Sequence, residues 1–577
     1  MKANHLHNYA ASFARCLAVP KIACAVLLGA FSALLTSTPV MAQPSSVGQW
    51  DTVKTLPWRP VHSVLMKTGT IMFYPASDDP REWNPSGETL TTLTKFSYNP
   101  FCNGHAQMPD GKILFTGGHN QTNNWGLWNI SLFNPDNKTW KHLPDMTDGR
   151  WYPSQIMMAN GDILTVSGTK STGNNNSTPD VLQISNGQVR RLTNAVLSMS
   201  LYPAMFLAPN GQAFIATATS RYLNTSGGGT LTTVANRIVS GRDNYGSACM
   251  YEPGKVIYTG GGDAPVATTE SIDLNAGTPA WSAKASMPQA RRQHNATILP
   301  DGRVLVTGGS SSSGFNTADG SKPAIVWNPA NNTWTTWATE ANYRGYHSEA
   351  VLLPDARVIS VGGDGQANYQ IFSPPYLFAG TRPSITSAPT NITHGSAFTV
   401  GFSSGPIGKV TMLRPASVTH TKNMNQRYNS LSFTVSGSNL TVTAPANANV
   451  CPPGFYMLFI VKTTGEPSVS RWIHIGSTSG LNPSTPAIPT GLTATALSST
   501  SVRLNWTDAS SNESGFKIER RLNASAKPWS RIATVGAGVT TYTNTGLTAA
   551  TSYRYRIRSY NSAGHSPYTA EVTVTTP

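Results

Sequence analysis

The chain has 577 residues, which is too long for one hydrophobic core and indicates roughly three or four domains. Charged residues make up only 12% of the composition, whereas Gly (50) and Pro (40) are plentiful, a balance that favours turn-rich all-β domains over helix bundles. The formal net charge of +15 would attract acidic polymers. No cluster of Lys and Arg interleaved with aromatic residues is present, so a specific nucleic-acid site is not expected.

The first 42 residues have the pattern of an export signal. Basic residues precede an apolar run at 22–35, and a small-residue cleavage site lies at 40–42. The alternative, a membrane anchor, needs about 20 apolar residues, more than this run supplies. We therefore expect residues 1–42 to be a signal peptide and the mature protein to be secreted, with no transmembrane segment later in the chain.

Removal of that signal leaves three cysteines, Cys102, Cys249 and Cys451. An odd number in an oxidising compartment means that at least one cysteine does something other than pair within the chain. Buried free thiols explain Cys249 and Cys451 adequately, although their pairing stays open at this point.

A repeated unit dominates the sequence up to about residue 380. A Pro-Asp turn is followed by a β-branched strand that runs into paired glycines, most clearly at 109–118, 300–309 and 354–363. Weaker copies lie between these, and a spacing of about 50 residues with short, turn-separated strands is typical of kelch-type propellers. Counting all copies predicts seven blades.

The rest of the chain predicts two further β-sandwich, immunoglobulin-like domains. Short alternating strands follow the propeller, and a Gly/Ser/Thr/Pro-rich linker follows them. In the last segment, Trp506 and Tyr553 resemble the buried tryptophan and the tyrosine corner of a fibronectin type III module. The expected organisation is a signal peptide at 1–42, a propeller at 43–380, a sandwich at 381–477, a linker at 478–487 and a fibronectin type III module at 488–577.

Three short motifs in the propeller combine residue types that carry chemistry. They are Asn-Pro-Phe-Cys-Asn-Gly at 99–104, Gly-Arg-Trp-Tyr-Pro-Ser at 149–154 and Arg-Gly-Tyr-His-Ser at 344–348. The second and third lie at equivalent places, just before the first strand of their repeats. Because the first strand of each blade lines the central axis, these positions should converge on one channel.

These motifs resemble those of the galactose oxidase and glyoxal oxidase family of copper-radical oxidases, and the resemblance covers about residues 50–477. It implies that Cys102 is bonded to Tyr152, and that one copper ion is held by Tyr152, Tyr346, His347 and His420. His420 lies in a Thr-His-Thr segment that is followed, as in the family, by Asn-Gln-Arg at 425–427. The motif around Tyr152 is more similar to glyoxal oxidases than to galactose oxidase.

The implied chemistry suits these residue types. Two imidazoles and two phenolates are donors that Cu(II) prefers in a tetragonal arrangement with one position for substrate. The resemblance implies that the Cys102–Tyr152 thioether forms a radical cofactor and that Tyr346 is the general base. The expected reaction is two-electron oxidation of small aldehydes, or of primary alcohols or sugars, by O2, which becomes H2O2.

The sequence departs from the family at one point. Galactose oxidase stacks a tryptophan over the crosslinked tyrosine from just beyond the paired glycines, where this chain has Ser-Gly-Thr-Lys at 167–170. Trp125 and Trp128, in a long polar loop, are the candidates to cover the radical here. The alternative for both is packing within that loop or exposure to solvent.

Two other functions remain to be weighed. A non-catalytic propeller that binds carbohydrate or mediates adhesion is one, because kelch repeats and fibronectin modules occur in such proteins. A hydrolase is the other, but no triad or carboxylate pair occupies equivalent inner-strand positions. The fibronectin type III module itself is expected to supply surface or polysaccharide association rather than chemistry.

Overall fold

The computed structural model describes residues 43–577 except 122, 186, 316–318, 321, 478–484, 511–512, 524–527 and 562–563. The predicted signal peptide at 1–42 lies outside the described residues. Gln43–Pro577 forms one contact unit. No helix among the described residues is both long and apolar enough to cross a bilayer.

Seven antiparallel sheets of the described residues follow one another up to Ser373, each from its inner to its outer strand. A short helix, α1 (Pro44–Val47), and strands β1 (Gln49–Trp50) and β2 (Lys54–Thr55) precede them. Blade one contains β3 (His62–Leu65), β4 (Ile71–Tyr74), β5 (Arg81–Asn84) and β6 (Thr89–Thr92). Blade two contains β7 (Gly104–Gln107), β8 (Ile113–Thr116), β9 (Ile130–Asn134) and β10 (Thr139–Leu143). Blade three contains β11 (Ser154–Met157), β12 (Ile163–Val166), β13 (Asp180–Leu182) and β14 (Val189–Arg191).

The next blades repeat the same order. Blade four contains β15 (Met205–Leu207), β16 (Ala213–Ile215), β17 (Thr219–Asn224) and β18 (Thr230–Asn236). Blade five contains β19 (Ser247–Glu252), β20 (Lys255–Thr259), β21 (Thr269–Asp273) and β22 (Trp281–Lys284). Blade six contains β23 (Arg292–Ile298), β24 (Val304–Ser310), β25 (Pro323–Asn328) and β26 (Thr333–Thr339). Blade seven contains β27 (Ser348–Leu352), β28 (Val358–Gly362) and β29 (Asn368–Ser373).

Blade seven is completed by the start of the described chain. Its outer strand β29 pairs with β1 and β2, so that Gln49 lies opposite Ser373 and Lys54 opposite Tyr369. The ring is therefore closed by backbone hydrogen bonds between segments that are far apart in sequence. The innermost strands β3, β7 and β27 are fully buried, as expected when each blade packs its two faces against its neighbours.

A β-sandwich follows a 3₁₀ turn at Pro375–Leu377. One sheet contains β30 (Ser384–Ser387), β32 (Ala397–Ser403), β37 (Phe433–Ser436) and β38 (Asn439–Thr443). The other contains β31 (Asn391–Ile392), β33 (Ile407–Leu413), β36 (Tyr428–Leu431), β39 (Gly454–Lys462) and β40 (Arg471–Ile475). Between them, the hairpin of β34 (Ser417–Thr419) and β35 (Lys422–Asn423) leaves the sandwich and joins the sheet of blade one, where Thr419 pairs with His62 of β3.

The last domain is a second sandwich. One sheet contains β41 (Thr490–Ser498), β42 (Ser501–Thr507) and β45 (Thr541–Asn544). The other contains β43 (Gly515–Leu522), β44 (Ser530–Gly536), β46 (Ser552–Asn561), β47 (Gly564–His565) and β48 (Val572–Thr575). Trp506 and Tyr553 are buried in its core, and the Tyr553 hydroxyl accepts a hydrogen bond from the backbone N–H of Thr548 at 3.0 Å. These are the buried tryptophan and tyrosine corner that the sequence predicted.

Candidate metal centre

Cys102 and Tyr152 are brought together by the backbone. Cys102 lies in the turn before β7, and Tyr152 lies in the turn before β11 of the next blade. The Tyr152 N–H donates to the Cys102 carbonyl at 2.7 Å, and the Cys102 N–H donates to Nε2 of His62 at 3.0 Å. His62, a buried inner-strand histidine, thus holds the cysteine segment in place.

Tyr346 and His347 form the turn before β27, and His420 lies in the turn between β34 and β35. Four residues of the centre have positive φ: Cys102 at 56°, Tyr152 at 67°, His347 at 64° and His420 at 49°. Such conformations are costly for residues other than glycine, and they gather where surrounding structure enforces a functional geometry. The backbone strain therefore coincides with the residues that the sequence singled out.

The four predicted ligand residues meet at one point. The hydroxyl oxygens of Tyr152 and Tyr346 are 2.9 Å apart. The ring centroid of His420 lies 4.9 Å from that of Tyr152, 5.2 Å from that of Tyr346 and 4.5 Å from that of His347. His420 reaches this point because its hairpin pairs with blade one, so the sandwich contributes a side chain to the propeller axis.

Each histidine is fixed through its Nδ1 atom. Nδ1 of His347 lies 2.6 Å from a carboxylate oxygen of Asp364, which also forms an ion pair with Arg59. Nδ1 of His420 lies 2.6 Å from the Thr419 hydroxyl. Both rings therefore direct Nε2 toward the shared point, and Nε2 of His347 is buried without a hydrogen-bond partner in the described structure.

Asp364 and Arg59 were not predicted from the sequence. Asp364 directly follows the paired glycines of blade seven, and a histidine ligand that donates its second N–H to a carboxylate is a common arrangement at metal sites. That combination is the sequence signal that could have identified Asp364. Arg59 carries no such signal, because only the fold places it beside Asp364.

Burial sets the protonation of the centre. It lowers the pKa of His347 and, together with the positive groups around it, lowers the pKa of His420 well below its ordinary value, so both imidazoles are neutral and able to bind a metal. Burial likewise raises the pKa of both phenols, Tyr152 and Tyr346, and of the Cys102 thiol. Without a cation, these groups keep their protons.

The Cys102 thiol is fully buried and lies against Tyr152. The two side chains are close enough to share a hydrogen bond, and Sγ of Cys102 is 3.2 Å from Nε2 of His420. Cys102, His347 and His420 therefore offer a compact metal-ligating cluster even before the tyrosines are considered. Cys249 and Cys451 are buried free thiols away from this cluster.

The indole beside Tyr152 belongs to Trp151. The two ring centroids are 4.5 Å apart in an edge-on arrangement, and Trp151 packs in turn on His119, 4.7 Å away. Trp125 and Trp128, the candidates from sequence, have no ring contact with Tyr152 among the described residues. Trp128 lies instead under the guanidinium of Arg531, at 4.9 Å, in the last domain.

The donors present fit a copper ion. Two imidazole rings and two phenol oxygens converge, the imidazoles are neutral, and Nε2 of His347 is buried with no hydrogen-bond partner among the described residues. Cu(II) favours such nitrogen and oxygen donors, whereas Mg²⁺ and Ca²⁺ favour carboxylates and carbonyls. The second phenol, Tyr346, also contacts the half-exposed ring of Phe315, 4.5 Å away, which marks the open side of the centre.

Comparison with known proteins agrees with this architecture. The family model for the galactose oxidase-like early set domain matches residues 382–475, and that for the fibronectin type III domain matches 487–575. Galactose oxidase of Gibberella zeae is 29% identical over 495 residues, covering 75% of this chain and 71% of that protein. Aldehyde oxidase GLOX1 of Arabidopsis thaliana is 27% identical over 447 residues, covering 65% and 71% respectively.

A solved structure shows the same fold. It is described as a novel fungal alcohol oxidase with catalytic diversity among the AA5 family, in complex with copper; the TM-score is 0.68 at 23% identity, covering 75% of this chain and 100% of that chain. The predicted all-β fold class is confirmed, and the named relatives do not favour a non-catalytic propeller. Over the propeller and the early-set sandwich the chain is therefore similar to galactose oxidase and to the GLOX aldehyde oxidases, and a fibronectin type III domain follows these two domains.

Proposed function

We propose that the enzyme oxidises small aldehydes as its first substrate class, and primary alcohols or sugars as its second, with O2 as the electron acceptor. An aldehyde, as its hydrate, loses two electrons and two protons to become a carboxylic acid, and O2 takes both to become H2O2. A primary alcohol would likewise lose two electrons and two protons to O2 and become an aldehyde. The observation that carries this proposal is the convergence of Tyr152, Tyr346, His347 and His420 on one point.

In this proposal the four residues bind one copper ion. When bound, copper supplies a one-electron acceptor and a coordination position for the substrate oxygen. His347 and His420 bind through Nε2, and the pairs with Asp364 and Thr419 hold their rings in the required orientation. The two phenols would lose their protons to bind the metal, because its positive charge would offset the burial that raises the pKa of Tyr152 and Tyr346.

Tyr152 and Cys102 supply the second oxidising equivalent. A bond between Sγ of Cys102 and a ring carbon of Tyr152 forms as the thiol and the ring each lose one hydrogen, and O2 accepts the two as H2O2. The thioether makes the phenol easier to oxidise, so that Tyr152 holds a radical. The contact between the buried thiol and Tyr152, together with the cover from Trp151, supports this assignment.

Tyr346 is proposed as the general base. It lies on the open side of the centre beside Phe315, and its hydroxyl is 2.9 Å from that of Tyr152. A phenolate at this position accepts the proton that the substrate hydroxyl releases. Tyr245 and Phe315 pack around Tyr346 and restrict the mouth with aromatic rings, which favours small substrates.

We further propose that the protein is secreted. Residues 1–42 read as an export signal, and formation of the thioether needs O2 rather than a thiol-reducing compartment. Cys102, Cys249 and Cys451 form no disulfide in the described structure, which leaves Cys102 available for the bond to Tyr152. The fibronectin type III domain is proposed to serve association with a surface or a polysaccharide.

Oxygen uptake tests the reaction. Copper-loaded enzyme with glyoxal or methylglyoxal should consume O2 and release H2O2 in equal amounts, more rapidly than with a primary alcohol. His420→Ala should lose this activity because it removes one of four ligands. His394→Ala, a matched change in the sandwich at a ring whose Nε2 lies 2.8 Å from the Cys451 carbonyl oxygen, should keep it. Full activity in His420→Ala would contradict the assignment.

A further inference from the structure

A cleft of about 1780 Å³ lies between blade two and the fibronectin type III domain. Both walls contribute aromatic rings. The aromatic side chains that line it are Tyr98, Trp125, Trp128, Trp140, Trp529 and Tyr568. Ligand sites are often concave, lie at domain interfaces and are lined by aromatic side chains with a few polar groups, as this cleft is.

The two walls of the cleft are held together by a buried charge cluster. Asp145, which follows β10 of blade two, is buried and forms ion pairs with Lys517 at 3.2 Å, Arg531 at 3.2 Å and Arg558 at 3.5 Å of the last domain. Burial alone would raise the pKa of Asp145, but Lys517, His565 and Arg558 hold it well below its usual range. The Asp145 carboxylate therefore stays charged. If the two domains separated, Lys517, Arg531 and Arg558 would lose this ion-pair partner.

Backbone contact fixes the same junction. A Cβ atom at Gly564, the first residue of β47, would lie 1.9 Å from the His142 carbonyl oxygen of β10, so only glycine permits this approach. Because the domains meet through buried charges and backbone, the cleft is present before any ligand binds. A preformed site avoids the free-energy cost of ordering its walls on binding.

The lining chemistry matches a saccharide chain. A pyranose ring presents C–H groups on its faces, which pack on aromatic rings, and hydroxyl groups at its edge, which need hydrogen-bond partners. The cleft supplies amide side chains, among them Asn123 and Asn129, beside its six aromatic rings. Arg556 lies 4.3 Å from the ring centroid of Trp529 and 3.8 Å from that of Tyr568, and it is anchored by Glu519.

One loop joins the cleft to the metal centre. Its start, His119, packs on Trp151 beside Tyr152, and its end supplies Trp125 and Trp128 to the cleft. The loop is fastened at both ends, by a backbone pair between His119 and Gly126 and by one between Leu127 and Arg150. A chain bound in the cleft would therefore contact the same loop that packs beside Trp151.

We propose that this cleft binds an oligosaccharide or polysaccharide chain. The inference rests on the part of the proposed function that gives the fibronectin type III domain an association with a polysaccharide. Binding needs no copper and no radical, so it can fail without the proposed oxidation failing.

Two tryptophans provide a matched pair for the test. Trp140 of blade two and Trp334 of blade six occupy the same outer-strand position, and the indole N–H of each donates to a carbonyl of the preceding blade, Thr94 at 2.8 Å and Ala285 at 2.7 Å. Trp140 lines the cleft and Trp334 does not. Alanine at either position removes the same structural bond, so a difference in binding reports on the cleft.

The experiment is calorimetric titration of the full chain with hexasaccharides of glucose, xylose and galacturonic acid. The wild type should bind at least one of them. Trp140→Ala and Trp529→Ala should each weaken binding at least tenfold, Trp334→Ala should not, and Trp529→Ala should release H2O2 from glyoxal at the normal rate. Absence of saccharide binding by the wild type, unchanged binding by Trp529→Ala, or binding only of a single-stranded RNA control would overturn the proposal.

Discussion

Replacement of Asp364 by alanine should weaken copper binding without disturbing the fold. Its carboxylate is 2.6 Å from Nδ1 of His347 and orients the ring so that Nε2 faces the other ligands. Burial alone would raise the pKa of Asp364, but the hydrogen bond from His347 keeps this pKa below its ordinary value. The carboxylate is therefore charged at neutral pH. A hydrogen bond to a charged group contributes about 1.5–3 kcal/mol.

That free energy corresponds to a loss of roughly 10- to 100-fold in copper affinity. Removal of the group that hydrogen-bonds the second ring nitrogen of a metal-bound histidine has an effect of this size in general. Asp364→Asn should lose less, because its amide oxygen still accepts the Nδ1 hydrogen. Competition with a chelator of known affinity gives the measurement. Asp355→Ala is the control, since Asp355 bonds Arg357 in a turn of the same blade far from the centre. Equal affinities for Asp364→Ala and Asp355→Ala would refute the reasoning.

Three further predictions follow from contacts around the centre and the domain junction. Phe315→Ala should raise KM for glyoxal more than it lowers kcat, because the ring packs on Tyr346 at the open side while 52% exposed; an unchanged KM would count against this role. Trp151→Ala should shorten the lifetime of the tyrosyl radical, followed by its absorbance decay, whereas Trp128→Ala should not. Burial lowers the pKa of His565 to about 3, whereas the ordinary value in the unfolded chain is 6.5, so below pH 6.5 the unfolded chain binds more protons than the folded chain. The free energy of unfolding should therefore fall on acidification, by about 2 kcal/mol at pH 5. His565→Asn should flatten a plot of Tm against pH.

The repeats made the fold predictable from sequence. Most blades repeat a turn and a strand that ends in one or two glycines, and those glycines have positive φ, as at Gly117, Gly308 and Gly362. The pairing of β29 with β1 and β2, which closes the ring, could not be predicted from the sequence, because no local sequence pattern indicates which distant strands pair. The insertion of the β34–β35 hairpin beside β3 was hidden for the same reason.

The residues around the metal centre divide in a similar way. The resemblance pointed to the four candidate ligand residues by motif, whereas Asp364 and Arg59 depend on proximity that only the fold creates. Trp151 was passed over although it adjoins Tyr152 in sequence. Neighbouring side chains point to opposite sides of an extended strand. The φ of 67° at Tyr152 breaks that alternation, so the two rings meet at 4.5 Å.

Peptide mass spectrometry of copper-loaded protein tests the central claim most directly. After loading in air and digestion, the peptides that contain Cys102 and Tyr152 should travel as one species that lacks two hydrogens. The same species should be absent from protein kept free of copper, and from Cys102→Ser. Recovery of Cys102 as a freely alkylable thiol from fully copper-loaded protein would contradict the assignment of this chain as a radical oxidase.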